Sequence, residues 1–444
     1  MLRRFFSIAC AALATLWCPV HNPTLTKGAE LRSTCGDRLI VREVSTAAFP
    51  SAGMHLDEPA GHPVIESCAP CSVGNVADCG TCQPCAVGVY DPCGPGWNDG
   101  LWVETEFLLW RRKGRRFPPL VTTQPNAGAL PGATILFGNE QLNEHARPGG
   151  RLEFGLWVDP CQNLGMGGHF VALGDAPVRY SLGSNDLGFI ARPFRDASVF
   201  PPLDTSFPIA NDTAIPATTG QLNLRTGSEI LAGDAFFRWL LARGGGTRVD
   251  LLAGYQFGRI NEDLIIDSFT QTVPVPPGLP SIAVTDFFRT TNEYHGGHFG
   301  LQGEYRFGCW SLELLAKFAF GTMRETVFIR GSTVVDVGGP PDVRTRGLLA
   351  QPTNGGQHVQ DEFAFMEDIG IKLAYYPVER LKLSVGYSLM YWSSVVRPGE
   401  HIDLNVDGRW LTGAPPADAT SPVFSFDPTG FYVHGLNLGA EYRF

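Results

Sequence analysis

The stretch GLNLGAEYRF, residues 435–444, alternates without a break. Leu436, Leu438, Ala440, Tyr442 and Phe444 fall on one parity, and Gly435, Asn437, Gly439, Glu441 and Arg443 on the other. A period of two sends neighbouring side chains to opposite faces of a β-strand, here one oily and one wet. The same signature recurs upstream in GLWVETEFLLWRR (100–112), RLEFGLWV (151–158), NLGMGGHFVAL (163–173), EILAGDAFFRWLL (229–241), TRVDLLAGYQF (247–257), HFGLQGEYRF (298–307), WSLELLAKFAF (310–320), IGIKLAYY (369–376) and LKLSVGYSLMYW (381–392). The connections alternate too. Short turns at 159–162, 242–246, 308–309 and 377–380 interleave with long loops at about 113–150, 174–227, 258–297, 321–361 and 393–429.

Short turns at one end and long loops at the other are the asymmetry of an outer-membrane barrel, and both chain ends on the short-turn side require an even strand count. The reading is therefore all-β: an antiparallel transmembrane β-barrel of about ten strands. The count becomes twelve if 259–292 holds a further hairpin, since DLIIDSFT and IAVTDFF within it are both strand-like. Alternation alone does not say which face meets lipid, because soluble barrels also alternate. Strands of about 9–13 residues match a tilted span of about 9–11, longer than the usual globular strand. Aromatics near strand ends (Trp102, Trp110, Trp239, Tyr305, Phe307, Tyr375, Tyr391, Trp392, Tyr442, Phe444) resemble interfacial girdles.

The polar parity carries too much charge for a bilayer face and is assigned to the lumen. Its acids are Glu104, Glu106, Glu153, Asp234, Asp250, Glu304, Glu313 and Glu441, and its bases are Arg151, Arg238, Arg248, Arg306, Lys317, Lys372, Lys382 and Arg443. Equal numbers of each sign in a narrow barrel predict cross-lumen ion pairs, whereas a charge-selective pore carries rings of one sign.

Composition closes other routes. Glycine (52) and proline (34) are abundant, the net charge is −10, and the short cluster Arg111, Arg112, Lys113, Arg115 and Arg116 is no nucleic-acid footprint. No run of 18 or more apolar residues exists, so a membrane-embedded chain has only the closed barrel open to it.

Residues 1–18 read as an export signal with an unassigned cleavage site: Arg3 and Arg4 precede an apolar run too short to span. Residues 19–98 form an irregular Cys/Pro/Gly-rich periplasmic segment, and 99–444 the barrel. Cys68, Cys71, Cys79, Cys82, Cys85 and Cys93 have spacings that zinc also uses. Export favours disulfides instead, within the segment or to a covalent or envelope-layer partner. Cys161 and Cys309 fall in short turns.

Two stretches carry a family resemblance: LFGNEQLNEHARPGGRLEFGLWVDPCQ (136–162) and the opening strand WVETEFLLW, with Trp102, Glu106, Leu108 and Trp110. Together they resemble the planctomycete-type outer-membrane β-barrel family over about 100–444. The resemblance implies a distantly porin-like barrel in the cell outer membrane with no settled activity, and it carries over no catalytic residues. The terminal AEYRF, with Tyr442 and Phe444, looks like the signature by which such barrels are handed to the barrel-assembly machinery. Outer-membrane lipid is the other expected partner.

Neither a metal nor a cofactor is expected. His295 and His298 in EYHGGHFG point to opposite faces of a strand, and Ser388 and His434 lie on opposite parities. GGRLEFG and ARGGG do not sit between a strand and a helix, as a phosphate loop would. Three function classes follow: foremost a structural or surface-contact barrel with long extracellular loops, then a narrow passive pore, then an outer-membrane hydrolase. The first two are not enzymes.

Overall fold

The computed structural model describes residues 100–142, 146–175, 177–273, 280–412 and 418–444. The export signal and the six clustered cysteines (Cys68, Cys71, Cys79, Cys82, Cys85, Cys93) lie outside the described residues. Among the described residues no helix is long and apolar enough to cross a membrane.

The wall is built from β1 (Leu101–Arg112), β2 (Arg147–Trp157), β3 (Leu164–Leu173), β4 (Ala217–Gly244), β5 (Thr247–Val273), β6 (Ser281–Phe307), β7 (Trp310–Asp336), β8 (Gly356–Val378), β9 (Leu381–Val395) and β10 (Thr429–Arg443). Each strand pairs antiparallel with the next, and β10 pairs with β1, closing the ring at ten strands. Across the lower half, closure leaves no edge of unpaired backbone groups, which is what lipid requires. The short turns are sharp: Gly245 and Gly246, between β4 and β5, both take positive φ, +57° and +81°, as a two-residue type I′ hairpin demands. The strands are tilted. A row of paired residues that leaves Arg112 at the top of β1 runs through Val433, Met390, Asp368, Lys317, Gly300, Leu252, Arg238, Gly165 and Trp157, and arrives beside Gly100 at the bottom of β1.

β4 has 28 residues and β5, β6 and β7 have 27 each, far beyond the roughly 9–11 needed to span. This corrects three loops expected from sequence, the first because residues 217–227 continue β4. Residues 258–273 and 281–297 continue β5 and β6, and 321–336 continues β7. DLIIDSFT and IAVTDFF are thus the upper part of one long hairpin, not an added pair of wall strands.

The polarity of the wall inverts with height. On β5 the outward residues are Val249, Leu251, Ala253, Tyr255 and Phe257, then Arg259, Asn261, Asp263 and Asp267, with Ile265 and Phe269 interspersed. The inward residues are Arg248, Asp250 and Gln256, then Ile260, Leu264 and Ile266. The lower half is oily outside and polar inside, as in lipid. The upper half has the reverse order, as in a water-soluble barrel.

The upper half has a conventional apolar core. Leu222, Leu224, Leu264, Ile266, Val284, Phe288, Val327 and Ile329 of the wall pack on Phe117, Leu120, Val121, Ile190, Ile209, Leu348, Leu349, Val396 and Val406 of the long connections. The described parts of those connections carry strands of their own: a hairpin (Phe189–Asp196 with Leu203–Asn211) packs with Val121–Thr123 and Thr134–Phe137, and Val178–Gly183 pairs with β4.

Candidate functional site

The lumen decides what a barrel can do, and here it is stacked in three layers. The lowest is charged. Alternation turns the even residues of β1 inward, and Glu104 and Glu106 meet bases from β2, β8 and β9: Arg151 lies 3.1 Å from Glu106, and Lys372 lies 2.5 Å from Glu106 and 3.2 Å from Glu104. Lys382 is a hub, 2.5 Å from Glu441, 2.9 Å from Glu313 and 3.6 Å from Glu104. Arg443 bonds Glu441 at 2.7 Å, and Arg306 bonds Glu304. Arg238 and Arg248 share Asp250, at 2.6 and 2.8 Å. Lys317 pairs with Asp234 and, at 3.3 Å, with Asp368. Glu153 lines a cavity of about 40 Å³ with Arg151, His169, Lys317, Asp368, Lys372 and Ser388. That volume suits a few water molecules and no larger solute.

Several interior residues lie beyond the sequence assignment. His169 lies 2.7 Å from Asp234, and His298 is buried nearby. Asp368 sits one step above the run IGIKLAYY on the parity of Lys372, so extending that alternation by two residues finds it. Trp102, Trp110 and Trp392 are corrections. Assigned to the girdles, they are buried and inward-facing, and Trp110 Nε1 donates to Asn437 Oδ1 at 2.7 Å. Trp102 and Trp110 share the parity of Glu104 and Glu106, which already argued for the interior. The outward girdle residues include Trp239, Tyr305, Phe307, Tyr442 and Phe444, the last two at the short-turn rim.

The middle layer is apolar. Leu108, Trp110, Ile260, Tyr294, Met323, Met366, Met390, Trp392, Phe431 and Val433 pack together there as one cluster. Above it, Glu262 receives Arg112 and Arg397, the latter at 3.0 Å, tying the loops after β1 and β9 to β5. In the upper half Arg192 reaches Asp286 at 2.5 Å, and Asp286 also accepts the backbone N–H groups of Leu349 and Ala350. Glu262 and Asp286 thus fasten loops into the upper half, the condition under which such burial is tolerated, whereas buried Glu325 accepts from Ser394 and Gln360 of the wall. Beside the clasp, burial pushes the Glu400 carboxyl up to about 7 against the opposing pull of Arg397 and Lys113. Burial likewise pushes His401 down, although the Ser425 carbonyl at 2.9 Å opposes that shift.

With this geometry in place, one comparison decides the family. The profile described as "Putative beta barrel porin-7 (BBP7)" matches residues 102–444, the whole wall. The chain belongs to the BBP7 family. It is a β-barrel of the outer membrane, as the resemblance implied. Solved structures to which it is similar include the outer membrane protease OmpT of Escherichia coli, at 11% identity over 78% of this chain and 97% of that one, TM-score 0.33. A FadL homologue of Pseudomonas aeruginosa has 9% identity over 78% and 90%, TM-score 0.20. The toluene transporter TodX of Pseudomonas putida has 10% identity over 78% and 89%, TM-score 0.19. Likeness at this level carries no argument about activity. No curated protein matches the chain.

For this BBP7 chain the remaining constellations resolve by face. His295 is outward, its Nδ1 2.6 Å from the Tyr255 hydroxyl, while His298 is inward. His434 is outward and bonded to Tyr387; Ser388 is inward, accepting from Asn437 Nδ2 at 2.8 Å. The wall separates Ser388 from His434. Cys161 and Cys309 lie in the short turns after β2 and β6.

Proposed function

We propose that this protein is a closed, non-enzymatic barrel whose folded upper half serves surface contact. The observation that carries this reading is the filled lumen: ion pairs below, the Trp110–Trp392 layer in the middle, and an apolar core above. A solute would have to break buried ion pairs and then displace packed side chains from the middle layer and the core. Each broken pair costs about 3–5 kcal/mol. With the short turns in the periplasm, strands and loops well beyond the span present a rigid platform outside the cell, where the exposed tips at Phe200 and Ile215 lie. The porin in the family's description favours the second reading, a narrow passive pore. Planar-bilayer recording of the purified full-length protein separates the two. The surface-contact reading expects a silent membrane; steady single-channel steps that scale with salt would replace it with the pore.

A further inference from the structure

A second cavity lies on the outer wall, away from the lumen. β3 stops at Leu173, paired with Ile230, and pairing on that side of β4 resumes only at Thr226 with Val178. Gly227, Ser228 and Glu229 therefore have no wall partner there, and Asp175 folds in to accept the Ser228 N–H at 2.9 Å. The notch is continuous with a cavity of about 270 Å³ lined by Asp175, Glu229, Arg259, Asn261, Asp263 and Arg289.

Its height is set by the polarity switch. Phe257 pairs with His295 in the last oily outward row, and Arg259 with Glu293 in the next. With short turns in the periplasm, that row is the outer headgroup level. The chemistry is two-sided. Arg259 and Arg289 lie on β5 and β6. Toward the notch, Asp175 and Asp263 converge: a Cβ built on Gly227 would stand 3.2 Å from Asp175 Oδ1 and 2.8 Å from Asp263 Oδ1. Burial and the neighbouring Asp175 push the Asp263 carboxyl up against the opposing pull of Arg225 and Arg289. Asn261 Oδ1 is buried there with no hydrogen-bond partner. Two carboxylates and an amide oxygen offer acceptors that suit the N–H groups of an organic ammonium.

We infer that this notch binds the zwitterionic headgroup of an outer-leaflet lipid carrying both a phosphate and a primary amine. The phosphate sits on Arg259 and Arg289, which suit it by charge and fork geometry. The ammonium sits among Asp175, Asp263 and Asn261, and the acyl chains descend past Phe257 and Tyr255. A primary amine supplies N–H donors to these oxygens; a quaternary choline has none.

Native mass spectrometry of the full chain in nanodiscs of mixed phosphatidylethanolamine, phosphatidylcholine and phosphatidylglycerol tests this. The expected result is retention of phosphatidylethanolamine over the other two by about tenfold, the factor one good charge-assisted hydrogen bond supplies. R259Q/R289Q abolishes retention. D175N/D263N keeps lipid but loses the preference over phosphatidylcholine. Unshifted heat-modifiable gel bands show that both variants fold. Retained lipid that mirrors the nanodisc, a preference for phosphatidylglycerol, or enrichment unchanged in both variants overturns the inference. Free O-phosphoethanolamine should displace the lipid only in large excess; binding of that soluble compound without lipid enrichment also overturns it.

Discussion

Replacing Lys382 with methionine removes the hub of the lower lumen at little cost in volume. Three carboxylates then lose a cation at 2.5, 2.9 and 3.6 Å. Glu441 keeps Arg443 at 2.7 Å and Glu104 keeps Lys372 at 3.2 Å. Glu313 is left with the Ser311 hydroxyl at 3.5 Å. At 2.9 Å and an effective dielectric near 20, the direct attraction is about 6 kcal/mol before desolvation. A one-sided loss in a buried site costs about 3–5 kcal/mol. K382M should therefore lower the unfolding free energy by about that amount, read from urea titration in phosphocholine vesicles at constant m-value. K382M/E313Q should recover about 2 kcal/mol, because the orphaned charge goes with its partner. A K382M loss below about 1 kcal/mol, the range of an exposed pair, or strict additivity in the cycle, would refute the view that these charges are dry and coupled.

Glu400, raised by burial to about 7 from 4.5, contributes docking stability that is full below 4.5 and lost as pH rises through about 7. Protease sensitivity of residues 397–428 should therefore be greater at pH 8 than at pH 5, and E400Q should flatten that difference. L264A opens the fully buried upper core and should cost about 2–5 kcal/mol; the loops around Leu348 and Val406 should then be cut faster while the heat-modifiable barrel band persists. Deleting Phe444, which stands 55% exposed at the lower rim, should reduce the fraction of chains assembled in the membrane while leaving the unfolding free energy of assembled barrels within about 1 kcal/mol, measured by gel shift and urea titration.

The membrane half was legible because lipid enforces a simple rule, with oil on one parity and charge on the other. Leu436 through Phe444 against Glu441 and Arg443 show it fully. The upper half was hidden by the inversion. On β5 the inward parity never changes, but its chemistry does, from Asp250 and Gln256 to Ile260, Leu264 and Ile266. A reader tracking one oily parity sees the pattern end at Phe257 and takes the remainder for loop. The interior tryptophans were misplaced for a related reason: Trp110 and Trp392 sit at the top of the lipid span, where a girdle is expected, but on the parity of the lumen. His169 and Asp368 carry the same parity signal and were reachable from it. The notch beside Gly227 was not, because it arises where β3 breaks off and the wall pairing lapses, which no local pattern encodes.

One face of β5 crosses from oil to water as the wall rises, and spin labels at two heights on that face report the crossing. Nitroxides at Y255C and D267C occupy the same outward face, twelve positions apart along the strand, and can be read against the unsubstituted protein in vesicles. Collision with dissolved oxygen should dominate at 255 and with an aqueous nickel chelate at 267. Equal oxygen and nickel accessibility at the two sites would contradict the inversion, and with it the division of the barrel into a lipid-spanning half and a water-facing half.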